Sequence, residues 1–121
     1  MLDAFKAAGA FASLMRNKDA LPEAMKRVQN NLEQKRIMTD GGGGAVRVTM
    51  NGRMRVLEVN VDPALYRATD QASIEMANQI VADAVNTAIA RAQEVVGKEV
   101  AREAQALGLP AIPGLEKFPG F

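Results

Sequence analysis

Few residues in this 121-residue chain have the type and spacing that chemistry requires. Four consecutive glycines, 41–44, offer backbone amides unhindered by side chains, as a phosphate cradle does. A nucleotide-binding loop of that kind continues with Gly-Lys-Ser or Gly-Lys-Thr and then a helix, so that amides and helix dipole face the anion. Here the glycines run into Ala-Val-Arg-Val-Thr-Met, an alternating strand pattern. The run therefore reads as a wide connection between two antiparallel strands, and the dinucleotide fingerprint fails for the same reason. Histidine and cysteine are both absent, which removes the commonest general base, thiolate chemistry, disulfides and the usual transition-metal ligands. Glu58, Asn60 and Asp62 alternate along a strand and read as its solvated face, with none of the spacing of an all-oxygen cation loop. No serine or threonine has a base beside it. The sequence asks for no catalytic residue, no metal and no cofactor, and the chain reads as a non-enzyme.

What remains is patterned positive charge. Arg91, Lys98 and Arg102 recur at spacings of seven and four, which places them in a narrow fan on one helix face. Glu94 falls between Arg91 and Lys98 and is placed to pair with either. Lys26 and Arg27 lie on the polar side of an earlier helix. With 15 basic and 14 acidic residues the chain is close to neutral, so affinity for phosphates has to come from local concentration of charge. Duplicated on an assembly of two subunits, such helices suit gripping phosphates without reading bases. No aromatic is interleaved with the cations, which disfavours stacking on single strands. The competing reading is an ordinary solvated helix face.

The elements that carry these residues follow from periodicity. Asp19 is placed to cap a helix with Pro22 in its first turn, where the missing amide hydrogen costs little. Leu21, Met25, Val28 and Leu32 then form one apolar stripe running to about Arg36. Lys35–Asp40 reads as a first strand, and Val46, Val48 and Met50 as the buried face of a second. Asn51-Gly52 signals a two-residue type I′ hairpin. On the return strand Leu57, Val59 and Val61 share a face, while Met54 and Val56 are out of phase, which predicts a bulge near Val56 and Leu57. Asp62-Pro63 ends it.

A long helix follows, capped by Thr69 or Asp70, with no proline across residues 71–107 and Gly108 at its end. Ile74, Val81, Val85, Ile89, Val96, Val100 and Leu107 make a continuous stripe. Ala77, Ile80, Ala84 and Ala88 add a second apolar face in the first half, replaced by Arg91, Lys98 and Arg102 in the second. At 1.5 Å per residue the helix is roughly 50 Å long, more than three short strands can cover. Its second half projects, and the Val96–Val100 stripe needs either helix 20–36 or a second copy of the chain. Homodimerisation is the simpler expectation.

Three segments result: an N-terminal arm or short helix over 1–18, a domain over 19–108, and an extended Pro/Gly-rich tail over 109–121 whose Leu109, Ile112, Leu115 and Phe118 could dock on a surface. Asp3, Lys6 and the short apolar run argue against a membrane span or signal peptide, which points to the cytoplasm.

Taken in order, the amphipathic first helix, the glycine loop, "VRVTMNG", "VLEVNVDPAL", the long helix with "VADAVNTAIARAQE" and the tail "LPAIPGLEKFPGF" resemble the YbaB/EbfC family of bacterial nucleoid-associated proteins over about residues 14–121. The resemblance implies an α+β fold of order α-β-β-β-α, with a small antiparallel sheet and long protruding helices, as a tweezer-like homodimer in the nucleoid. It implies binding of duplex DNA with limited sequence preference, through Lys26, Arg27, Lys35 and Arg36 on the first helix and Arg91, Lys98 and Arg102 on the second. The chain departs from the family pattern in Pro22 and a longer N-terminal arm. The alternative function is a protein-interaction accessory factor for recombination or replication proteins, using the helix ends and the tail.

Overall fold

The computed structural model describes residues 20–108. Within them the order is α1 (Ala20–Gln34), β1 (Ile37–Gly41), β2 (Val46–Met50), β3 (Val56–Val61) and α2 (Gln71–Ala106). This is the expected α+β class and α-β-β-β-α order. The arm over 1–18, the Asp19 cap and the tail over 109–121 lie outside the described residues.

The sheet is antiparallel with strand order β1-β2-β3. Strict alternation in β2 turns Val46, Val48 and Met50 under α2, where all three are fully buried. Gly41, Thr39 and Ile37 pair with them and share that face. Pairing of β2 with β3 slips after Thr49: Thr49 faces Glu58, Met50 faces Val56, and Leu57 has no partner. This is the predicted bulge. The apolar face of β3 is a different matter. Helix α2 packs mainly over β1 and β2. Val59, directly opposite the buried Val48, is therefore 40% exposed, and Leu57 is 45% exposed.

The glycine run joins β1 to β2, as its context requires. Gly41 closes β1 against α2, and a methyl group there would lie 2.6 Å from the Ala84 Cβ. Gly42, Gly43 and Gly44, all at positive φ (59°, 67° and 95°), then lead the chain into β2.

Asn51-Gly52 corrects the hairpin expectation. No two-residue turn forms; residues 51–55 make a longer loop, closed by the Asn51 N–H donating to the Arg55 carbonyl at 3.0 Å. Asn51 is buried, and its Oδ1 accepts from the amides of Arg53 and Arg55 at 3.0 and 3.2 Å. Gly52 is needed for closeness rather than for positive φ. Its N–H donates to the Leu32 carbonyl at 2.7 Å, and a Cβ would stand 2.8 Å from that same oxygen. The left-handed residue of the loop is Met54, at φ 63°. Its side chain packs against both apolar clusters of the molecule, which holds the backbone in a region most side chains avoid.

Helix α2 begins at Asp70, whose Oδ2 accepts the Ser73 N–H at 3.1 Å. Hydrogen bonding from the Ser73 side chain, and next from its backbone N–H, holds the Asp70 carboxyl below its ordinary range. Gly108 follows the helix with positive φ and donates to the Gln105 carbonyl at 3.0 Å. Between these ends 36 residues span about 54 Å.

The face laid on the sheet is the small one, Ala84, Ala88 and Ala92, and this lets the helix backbone approach closely. The β-branched Val81, Val85 and Ile89 flank it half-buried. Beyond Ala92 the partner changes. Val28 and Leu32 of α1 bury Val96, and Val100 packs beside them. The projecting stripe is thus covered by the chain's own α1, one of the two expected partners, and no second copy is required there. Among the described residues no helix is long and apolar enough to cross a membrane.

Candidate nucleic-acid interface

The two helices run antiparallel, and polar rungs four residues apart on each tie one edge of the seam. At the first rung the Arg27 guanidinium donates to Glu103 Oε1, with Nη2 at 2.9 Å and Nε at 3.2 Å. At the second, Asn31 Nδ2 donates to Glu99 Oε1 at 3.2 Å. The same oxygen accepts from Arg102 Nη2 at 2.6 Å. Glu99 is only 5% exposed. Burial alone pushes its carboxyl up, but the hydrogen bonds from Arg102 and Asn31, with the charges of Arg102 and Lys35, outweigh it and hold the group below the usual glutamate range. The same pairing raises the Arg102 guanidinium.

The next position along this edge is Lys35, across from Val95. Here the seam opens into a recess lined by Lys35, Arg91, Val95, Lys98, Glu99 and Arg102. Glu94 stands beside it, with Oε2 3.1 Å from Arg91 Nη1 and Oε1 3.3 Å from Lys98 Nζ. Hydrogen bonds from Lys98 and Arg91 hold the Glu94 carboxyl down.

The seven cations singled out in the sequence are therefore distributed unequally. Lys35, Arg91, Lys98 and Arg102 converge on one recess, and Arg27 lies further along the same edge, engaged by Glu103. Lys26 is half a helical turn from the buried Ala24 and Val28, so it is exposed on the far side of α1. Lys35 and Arg36 are not helical, because α1 ends at Gln34 and not near Arg36. Carbonyls at its end are already taken: that of Leu32 by Gly52, that of Glu33 by Arg36 Nη1 at 3.0 Å, and that of Lys35, just beyond the helix, by the same Nη1 at 3.1 Å. Arg36 thus serves as a cap on the helix end.

Sequence reasoning passed over Asn31, Glu99 and Glu103. Their signal was present, since Arg27, Asn31 and Lys35 repeat every four residues and so do Glu99 and Glu103. It becomes readable only once α1 is known to be the partner of the projecting half. Arg53 and Arg55 were also passed over. They are exposed on the loop that Gly52 fastens to α1, and neither forms an ion pair with another described residue.

The profile of the YbaB/EbfC DNA-binding family matches residues 8–107. The chain belongs to that family. The match covers every described element and part of the segment read as an arm, and it stops short of the tail. Among YbaB/EbfC relatives, a nucleoid-associated protein of Syntrophobacter fumaroxidans is 37% identical over 103 residues, which is 84% of this chain and 91% of that one. One from Moorella thermoacetica is 31% identical over 113 residues, 93% and 97% of the two chains. A third, from Acetivibrio thermocellus, is 33% identical over 107 residues, 88% and 90%. The YbaB/EbfC family is named for binding DNA and not for a reaction.

Proposed function

We propose that this protein binds duplex DNA by seating backbone phosphates against Lys35, Arg91, Lys98 and Arg102. In this reading it acts as a homodimer in the cytoplasm and contributes to nucleoid organisation or gene regulation. The observation that carries the proposal is the recess itself, where α2 and Lys35, just past the end of α1, bring four cations to one solvent-open site whose lining holds no aromatic or base-reading amide side chain. Such a surface supplies affinity through counterion release and little sequence discrimination. Lys26, Arg27 and Arg36 add to the surrounding field, because Arg27 is engaged by Glu103 and Arg36 by backbone carbonyls. The names of the relatives support the cellular role.

The surface that supports a dimer is on the sheet, since α1 already covers the Val96–Val100 stripe of α2. Val56, Leu57 and Val59 leave an apolar strand face uncovered, the kind of surface a second copy buries. Sedimentation equilibrium tests this: the protein runs as a dimer, and Val59→Lys shifts it to monomer. A wild-type monomer across the concentration range removes the dimer from the proposal.

DNA binding is tested by titrating duplexes of unrelated sequence at several salt concentrations. Affinity falls as salt rises. The combined Arg91→Ala, Lys98→Ala and Arg102→Ala variant binds all duplexes more weakly and to the same degree, and its salt slope is shallower by about one for each phosphate it no longer neutralises. Binding that is undetectable at low salt, or indifferent to salt, sinks the proposal; an unchanged triple variant moves the site off α2.

A further inference from the structure

We infer that Glu94 is an affinity-setting residue: its carboxylate occupies the Arg91 and Lys98 side chains in the free protein, stands in for a phosphate, and has to be displaced when DNA binds. The inference rests on the reading of the recess as a phosphate-binding surface. Each Glu94 oxygen serves one cation, Oε2 the Arg91 guanidinium at 3.1 Å and Oε1 the Lys98 ammonium at 3.3 Å. Phosphate oxygens accept from guanidinium and ammonium groups in the same way.

Two carboxylates are close to the recess, and they differ in what else holds them. Glu99 is buried and also bonded to Asn31 across the seam, so it is a fixed part of the structure. Glu94 is bonded to Arg91 and Lys98 alone among the described residues, and its side chain is 49% exposed. Its two partners are more exposed still. Exposed pairs of this kind are weak and exchange readily with a competing polyanion. The fold keeps all its packing when Glu94 lets go.

The consequence is a muted arm. Arg91, Lys98 and Arg102 bring three positive charges to this stretch of α2, and Glu94 and Glu99 bring two negative ones, leaving a formal +1. Because both its partners hold the Glu94 carboxyl below its ordinary range, it stays charged at any physiological pH. The restraint is therefore permanent and is no proton switch. It keeps DNA binding weak and reversible, as suits a protein that binds without choosing sequence.

The experiment uses the full chain and a labelled duplex, with fluorescence anisotropy read at several salt concentrations. Glu94→Gln removes the charge and keeps the shape. It is expected to tighten binding roughly two- to tenfold at low salt, the scale of two exposed ion pairs, and to steepen the salt slope by up to about one. Glu75→Gln changes net charge equally but lies about 28 Å away along the helix, well beyond the screening length of about 10 Å at 0.1 M salt. It is expected to leave binding unchanged. Tightening by Glu94→Gln alone supports the inference. Equal tightening by both variants overturns it in favour of overall charge. An unchanged or weakened Glu94→Gln, with wild-type binding intact, overturns it and leaves the recess standing as a DNA site. If neither wild type nor Glu94→Gln binds, the reading of the recess falls and the inference with it.

Discussion

The two halves of α2 solve the same burial problem in opposite ways. From Ala84 to Ala92 the helix presents alanines to a sheet, and the approach is so close that Gly41 has no room for a methyl group. From Val96 onward it meets another helix through larger side chains, Val28, Leu32 and Val100, and polar rungs line the edge. A sheet offers a broad apolar plane and demands small residues; a lone helix offers a narrow seam and leaves the flanks to water. That is why the cations appear in the second half. The surface proposed to bind DNA is on the half of the helix whose flanks are left to water.

The strongest test of this division removes one large side chain from each half. Met50→Ala, in the sheet cluster, and Leu32→Ala, in the seam, each delete a fully buried side chain and are expected to cost about 2–5 kcal/mol. Their reach differs. Met50→Ala lowers the denaturant midpoint of the whole domain, whereas Leu32→Ala weakens hydrogen-exchange protection chiefly in α1 and the arm of α2 while the sheet keeps it. An equal fall in protection everywhere in both variants breaks the comparison and makes the two halves one cooperative unit.

Close approach gives a second contrast. Gly52→Ala pushes a methyl into the Leu32 carbonyl and is expected to cost about 1–3 kcal/mol by prising α1 from the sheet loop. Gly41→Ala costs a similar amount at the other seam by lifting α2 off β1. Denaturant unfolding gives the cost, and amide exchange in α1 shows whether only Gly52→Ala releases that helix.

These seams also explain what could be read in advance. The alternation of Val46, Val48 and Met50, the Asp70 cap, the Gly108 stop and the bulge at Leu57 are local, and each is legible from neighbours in the chain. The loop at Asn51-Gly52 is not, because the group that fixes Gly52 is a carbonyl 20 residues earlier. The apolar face of β3 is legible as a pattern, but its exposure depends on how far α2 reaches across the sheet. At the candidate site, charge and helical spacing single out Arg91, Lys98 and Arg102, which line one recess. Periodicity alone carries α1 on to Lys35 and Arg36, whereas the helix stops at Gln34. Glu99 escapes notice because its burial is a property of two helices and of neither alone.

The smallest expected effect concerns that buried carboxylate. Glu99→Gln keeps the shape and a hydrogen bond with Asn31 but removes the charge-assisted bond to Arg102, at a cost of about 1–2 kcal/mol near neutral pH. The Glu99 pKa is depressed on folding, so its contribution is fully present above the unfolded value near 4.5 and is lost as pH falls through the lower folded value. Stability of the variant should thus converge on that of wild type in acid, as seen in thermal melts from pH 7 down to pH 3, roughly the range over which a glutamate titrates. A difference that stays constant with pH means the Glu99 charge contributes nothing to the seam.

One bond acquires a mechanical meaning from all this. The second half of α2 is a cantilever, loaded near Lys98 if DNA pulls on it, and supported by the sheet only as far as Ala92. Helix α1 is its strut, and a strut is only as stiff as its footing. That footing is where the Gly52 N–H meets the Leu32 carbonyl at 2.7 Å, with Met54 wedged against both clusters. A load on this half of α2 is thus returned to the sheet through the loop over residues 51–55. On the proposed reading, the stiffness of the grip is set at Gly52 and Met54, neither of which lines the recess proposed to hold phosphates.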